Sequence, residues 1–190
     1  VKVCADRSTW LPGMTPPPHL DGSMPGDFGF DPLGLGTQGE DRLKWYAEAE
    51  KTNGRWAMMA VAGIMGQELL GVSPKWFEAG GKEYDIDFLP LLAIEFATLG
   101  FLETKRYQGF KTTGSSGLIN QFPFDPVGMN SAEMQVKEIK NGRLAMVAFV
   151  GFAVQALVTR EGPIEGLLSH IANPFGANIT TSVLNLPNVI

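Results

Sequence analysis

The chain has 190 residues, 44% of them hydrophobic and 18% charged, with a formal net charge of −5 and a single cysteine, Cys4. That length suits one domain, here expected over residues 1–190. The acidic balance excludes a general nucleic-acid binder, and one cysteine excludes an internal disulfide or a CxxC metal or redox site. Mean hydropathy is +0.02, between soluble and membrane composition, and the longest uncharged stretch of helical character, 144–159, is shorter than the roughly 18 residues that a bare length rule asks of a bilayer span.

Residues 1–39 form a leader rich in Gly and Pro, and its first residue is Val, so a processed chain whose targeting segment is gone is expected. A long helix follows over 40–70, charged in its first half and strongly apolar in its second, WAMMAVAGIMG. A second helix is predicted over 88–107, interrupted by Glu95 and Glu103. The third covers 131–159, with Ser131 as N-cap, a loose capping pattern in SAEMQ, and Gly162 and Pro163 as its stop. Beyond Pro163, a short helix over 163–172 places Ile164, Leu167, Leu168 and Ile171 at i, i+3, i+4 and i+7, one apolar stripe suited to lie in a membrane interface. At 1.5 Å per residue, helices of about 30 residues reach about 45 Å, beyond a hydrocarbon core of roughly 30 Å, so their charged halves can emerge into a headgroup layer.

The cations test this reading. Three spans would collect Lys2, Arg7, Arg42, Lys44, Lys51, Lys105, Arg106, Lys111, Lys137 and Lys140 on one side and leave Lys75, Lys82 and Arg160 on the other. That asymmetry in short loops is the mark of a membrane protein, and Trp45, Tyr46, Trp76, Tyr84 and Tyr107 fall near span ends, where interfacial rings are favoured. The expected fold is therefore all-α, with three transmembrane helices and one interfacial helix.

The chain also repeats itself. EKTNGRWAMMAVAG at 50–63 and EIKNGRLAMVAFVG at 138–151 share eight of fourteen positions, and FGFDPLGL at 28–35 is echoed by FPFDPVGM at 122–129. The first and third spans are thus expected to be related by a pseudo-two-fold axis along the membrane normal. Each repeat carries a Glu and an Arg inside an apolar region, where an unpaired charge is costly. The symmetry suggests Glu50 with Arg143 and Glu138 with Arg55, crossing between helices that approach closely at Gly54 with Ala57 and at Gly142 with Ala145.

Asn53 and Asn141 lie three residues after each Glu, and Gln155, Glu95, Glu103 and His170 follow elsewhere. Gln155 stands about 21 Å along the helix from Asn141, so these polar side chains are spread over the height of the helices and do not converge as a catalytic site or a metal cage would. The sequence holds no Ser-His-Asp set, phosphate loop or HExxH motif, so an enzyme is not expected. Single, spaced oxygen or nitrogen donors suit bulky cofactors that each want one axial ligand. Magnesium accepts such donors, and a carboxylate paired with Arg is nearly neutral as a unit.

With ExxNGRxAM present twice, Gln155 seventeen residues after Glu138 and His170 fifteen further on, the chain resembles the chlorophyll a/b-binding light-harvesting family over its whole length. Its leader, TWLPGMTPPPHLDGSMPGDFGFDPLGLG, is similar to that of the photosystem I peripheral antenna branch. The resemblance implies two long, crossed helices with carotenoids in the grooves of the cross, and chlorophyll magnesium held by Glu50, Asn53, Glu103, Glu138, Asn141, Gln155 and His170. It further implies Glu95 as a direct or water-mediated ligand, the carbonyl of Trp10 as one more, and Arg106 as the group neutralising Glu103, beside Arg55 and Arg143. The implied cofactors are chlorophyll a, chlorophyll b, lutein or similar xanthophylls, beta-carotene as a further candidate, and structural lipid. The implied partners are the photosystem I core, neighbouring antenna subunits and thylakoid lipids, with the N-terminus stromal and the C-terminus lumenal. Met58, Met59 and Met146 are expected against a carotenoid or chlorin face, and His19 and Cys4 as solvated leader residues.

One position departs from the family: Asn53 stands where His is common, an exchange that in some photosystem I antennae accompanies a red-shifted chlorophyll pair, here assigned to Asn53 and Glu103. The implied function is to absorb light and pass excitation to a photosystem core. Two alternatives stay open on the residues alone. One is photoprotective quenching with Glu83, Asp85 and Asp87 as lumenal titratable groups; the other is an ion relay through Glu50, Glu95, Glu103 and Glu138.

Overall fold

A computed structural model of the chain describes residues 7–72, 74–176 and 178–184; Cys4 and Lys2 lie outside them. Among the described residues there is no strand. The helices are α1 (Glu40–Leu69), α2 (Phe88–Thr113), α3 (Ala132–Thr159), α4 (Pro163–Ala172) and α5 (Ile179–Leu184), with short 3₁₀ turns at Leu35–Gln38 and Ala79–Gly81.

Helix ends follow local chemistry. α1 closes on Gly71, whose φ of 65° only glycine adopts without strain. There Val72 N–H reaches the Gln67 carbonyl at 3.0 Å and Gly71 N–H the Glu68 carbonyl at 3.1 Å, the Schellman pattern. α2 runs six residues past the apolar stretch, through Gly109, which stays helical, until Gly114 turns left-handed at φ 67°. Ser131 Oγ accepts the Met134 N–H at 3.2 Å, capping α3. α3 ends at Thr159, as expected, and the turn out of it is made by Arg160, a non-glycine residue at φ 58°, ahead of Gly162 and Pro163.

By length and composition one described helix, α3, is apolar enough to cross a membrane, with mean hydropathy 1.6 over its best eighteen-residue window and 17% of that window buried. α2 is interrupted by Glu95, Glu103 and Lys105, and the first half of α1 is charged throughout, so composition alone does not mark them as spans.

The chain divides into two compact units. The first comprises residues 1–51 and 84–140. Here α1 packs on α2 through Trp45, edge-on to Tyr107 at 5.5 Å and tilted against Phe110 at 5.7 Å. The leader is folded around two carboxylates. Asp27 accepts Arg7 at 2.8 Å and the N–H groups of Gly22 and Gly29 at 2.7 and 2.8 Å. Asp31 accepts the N–H groups of Leu35 and Gly36 at 3.0 and 2.9 Å and binds His19 Nε2 at 2.8 Å. His19 is thus half-buried and bonded, and not the solvated residue expected of a leader. In the second FxFDP copy, Asp125 accepts the N–H groups of Gly128, Met129 and Asn130 at 2.8, 3.1 and 2.9 Å. Backbone N–H groups, foremost Gly36 for Asp31 and Asn130 for Asp125, hold both carboxyls below the usual aspartate range. The repeat's short echo is therefore a turn-forming device: an aspartate collecting the amides of a loop that leads towards a long helix.

The second unit comprises residues 52–83 and 141–190. In it α1 and α3 meet backbone to backbone: a Cβ on Gly54 would lie 3.0 Å from Gly142 Cα, and one on Gly142 3.1 Å from Gly54 Cα. Any larger residue at either position must push the helices apart.

Candidate functional site

The expected ligands fall on three long helices and the short α4. Glu50 on α1 and Glu138 on α3 are half-buried in the first unit. Asn53 and Arg55 on α1, with Asn141 and Arg143 on α3, belong to the second, so the boundary between units falls between the Glu and the Asn of both copies of ExxNGR. Glu95 is exposed on α2. Trp10 donates its N–H to the Phe28 carbonyl at 2.9 Å and packs edge-on against Phe30 at 5.0 Å. Met59 is 71% exposed.

Glu103 sits in the most developed polar cluster of the first unit. Arg106 donates to it from Nε at 2.9 Å and Nη2 at 2.7 Å, both to Oε2. The same guanidinium donates from Nη1 to Glu48 Oε1 at 3.3 Å. Glu48 is 3% exposed and is further bound by the hydroxyl of Ser116, while Lys51 Nζ lies 3.8 Å from its Oε2 and donates to Ser116 Oγ at 3.1 Å. Glu48 is the residue that sequence reasoning missed. It reads as one more charge on a charged half-helix, and only its distance of two residues from Glu50 could have drawn attention.

Gln155 and His170 come together in the second unit, on a cleft of about 810 Å³ whose apolar wall includes Val154, Val158 and Leu167. Gln155 Nε2 donates to the Gly162 carbonyl at 3.2 Å. Because a carbonyl can only accept, this bond fixes the amide nitrogen there and turns the carbonyl oxygen to the other side. A Cβ at Gly166 would run into the same amide, so glycine is needed beside it. α4 is anchored by Glu68, whose carboxylate accepts the N–H groups of Ile164 at 3.0 Å and Glu165 at 2.7 Å. Charge at a helix N-terminus and two satisfied amides act together there. Lys75 Nζ adds Glu165 at 2.7 Å and the Arg160 carbonyl at 3.1 Å. The stripe of α4 is turned outward, with Leu167, Leu168 and Ile171 exposed.

Among the described residues no three His, Cys, Asp or Glu side chains gather where they could hold a bare metal ion. Gln155 and His170 share a cleft with an apolar wall, and the helices present more apolar surface: Phe88, Leu89 and Phe96 on α2 and Val147 and Leu157 on α3 are all exposed. A monomeric soluble protein seldom leaves so many large apolar side chains uncovered on its helices. This donor set fits a magnesium macrocycle, which brings its own equatorial ligands and asks the protein for one axial oxygen or nitrogen and a flat apolar wall.

Comparison with known proteins decides the family. Residues 16–157 match the model of the chlorophyll A-B binding protein family. The chain belongs to that family. Among its relatives, photosystem I chlorophyll a/b-binding protein 5, chloroplastic, of Arabidopsis thaliana is 42% identical, the match covering 93% of this chain and 80% of the relative. Photosystem I chlorophyll a/b-binding protein 6, chloroplastic, of the same plant is 41% identical over 92% of this chain and 74% of the relative. Chlorophyll a-b binding protein P4, chloroplastic, of Pisum sativum is 40% identical over 96% and 80%. The family match begins inside the leader, where Asp27 and Asp31 fold the chain, and ends two residues beyond Gln155.

Proposed function

We propose that this chain is a light-harvesting antenna of the chloroplast thylakoid membrane, which binds chlorophylls a and b with carotenoids and passes excitation to the photosystem I core. The observation that carries the reading is the pattern of the site: single oxygen or nitrogen donors, spaced along helices whose apolar surface faces outward. Relatives named for photosystem I and for chlorophyll a/b binding support the choice of cofactor and partner.

On this reading α1, α2 and α3 each cross the membrane, with the N-terminus stromal and the C-terminus lumenal, and α4 lies in the lumenal interface. Neighbouring antenna subunits and thylakoid lipids cover the outer surface. Chlorophyll supplies the absorbing macrocycle and its magnesium. The protein's part is to hold position: Glu50, Asn53, Glu103, Glu138, Asn141, Gln155 and His170 as axial donors, Glu95 directly or through water, and the Trp10 carbonyl as a weaker one. Arg55, Arg143 and Arg106 neutralise the carboxylates that must sit in lipid. Lutein or a similar xanthophyll, beta-carotene and structural lipid occupy the grooves beside the long helices, within reach of Met58, Met59 and Met146. Asn53, in place of His, is assigned with Glu103 to a red-shifted pair.

Absorption and fluorescence excitation spectra of the purified protein test the main claim. Chlorophyll a emission excited through chlorophyll b and carotenoid bands is the expected result, and a colourless protein would overturn it. A short excited-state lifetime at every pH between lumenal and stromal values would replace harvesting by quenching. For the pair, Asn53→His should move low-temperature emission to shorter wavelength, and an unchanged spectrum excludes Asn53 from that role.

A further inference from the structure

Glu48 stands outside every assigned role, yet it is the one buried charged residue among the described core positions. A carboxylate taken out of water is costly unless it is paired and hydrogen-bonded, so its surroundings have to be read as a set. Oε1 receives Arg106 Nη1 at 3.3 Å, and Oε2 receives the Ser116 hydroxyl, with Lys51 Nζ 3.8 Å away. Three elements are joined in this way: α1 through Glu48 and Lys51, α2 through Arg106, and the loop after α2 through Ser116.

The consequence falls on Glu103. An arginine one helical turn from a carboxylate on an exposed face has many rotamers and contributes little by itself. Arg106 is not in that state: its Nη1 edge is fixed to a buried anion, while Nε and Nη2 present a second edge to Glu103. Both of these bonds end on Oε2. The half-exposed carboxylate of Glu103 is thereby held by one oxygen, and Oε1 is the oxygen left to act as donor.

We infer that Glu48 is a positioning residue for Glu103: it clamps Arg106 between two carboxylates and so sets the orientation of the Glu103 oxygen that serves as an axial ligand. The inference rests on Glu103 being a chlorophyll ligand. Partners that orient a ligand typically change affinity by about 10- to 100-fold when removed.

The test uses the full chain assembled with a mixed extract of chlorophyll a, chlorophyll b and carotenoids. Glu103→Ala first identifies the red-region absorption band that depends on Glu103. Glu48→Gln, which keeps shape and removes charge, should then lower occupancy of that same band about tenfold on titration with pigment, and leave the remaining bands in place. Ser116→Ala and Glu48→Asp should shift the band by less and in the same position, with Glu48→Asp retaining occupancy because the charge is kept. A band untouched by all three variants, or a loss spread evenly over every band, overturns the inference. Should Glu48→Gln fail to assemble, Ser116→Ala and Glu48→Asp decide by the same criterion. If Glu103→Ala itself leaves the spectrum unchanged, the ligand assignment is what fails.

Discussion

Two carboxylates on α1, twenty residues apart, do different kinds of work. Glu48, buried in the first unit, is satisfied by side chains: a guanidinium, a hydroxyl and a nearby ammonium. Glu68, half-buried in the second unit, is satisfied by backbone amides at the start of α4. The first arrangement is charge-matched, so it changes when any partner changes. The second depends on a helix end, which every sequence that forms α4 provides. One fixes the orientation of a side chain, the other the placement of a whole element.

The difference can be broken at four strengths. Glu48→Ala should be the most severe, because it leaves Arg106 with one of its two carboxylates in a partly buried setting; about 3 kcal/mol is expected from the cost of opening a buried pair, read as a shift in the denaturation midpoint in detergent. Glu68→Ala should cost about 2 kcal/mol, from two orphaned amides at a helix start. Its effect should be confined: hydrogen exchange should accelerate at Ile164 and Glu165 and leave the first unit unchanged. Next comes Gly162→Ala, since a methyl there runs into the Glu68 carboxylate; overpacking of about 1 kcal/mol should appear in the same amides.

The weakest link is the exposed Lys75–Glu165 pair. Their mutual hydrogen bond holds Glu165 below the usual glutamate range and Lys75 above the usual lysine range. Glu165 therefore contributes fully above its unfolded value and loses that contribution as pH falls through its lower folded one. Lys75 contributes fully below its unfolded value and loses it as pH rises through its higher folded one. Both are intact between about pH 5 and pH 9. The protection factor at the α4 start, that is exchange corrected for its intrinsic base catalysis, should be flat across that window, and Lys75→Ala should cost only a few tenths of a kcal/mol.

These contrasts also separate what local sequence dictates from what only the folded chain brings together. The doubled ExxNGR motif, the extents of α1, α3 and α4, and the capping by Ser131 follow from local identity and periodicity, which need no knowledge of distant residues. The close approach at Gly54 and Gly142 was readable for the same reason, as small residues at matching repeat positions. Glu48 was not, because its burial depends on Arg106 and Ser116, 58 and 68 residues further on. Glu68 looked like the polar end of an apolar stretch, since nothing local shows that α4 starts against it. His19 was misread in the same way: an imidazole in a Gly/Pro leader looks solvated until Asp31 is folded back to it at 2.8 Å. The end of α2 is not legible from pattern, because the apolar stretch stops at Tyr107 and Gly109 follows it, yet the helix runs on to Thr113.

The contact of Gly54 with Gly142 has one more consequence. It acts as the fulcrum of a pair of scissors. Fourteen residues along α1 lies Glu68, which carries α4, and thirteen along α3 lies Gln155, which lines the same cleft, so the two blades are nearly equal at about 20 Å. A rotation of about 5° at the fulcrum would change the separation of the tips by roughly 2 Å on such arms. Two side chains that amount to single hydrogen atoms therefore bear on how far α4 stands from the end of α3, about four helical turns away along each blade, across the cleft that Gln155 and His170 line.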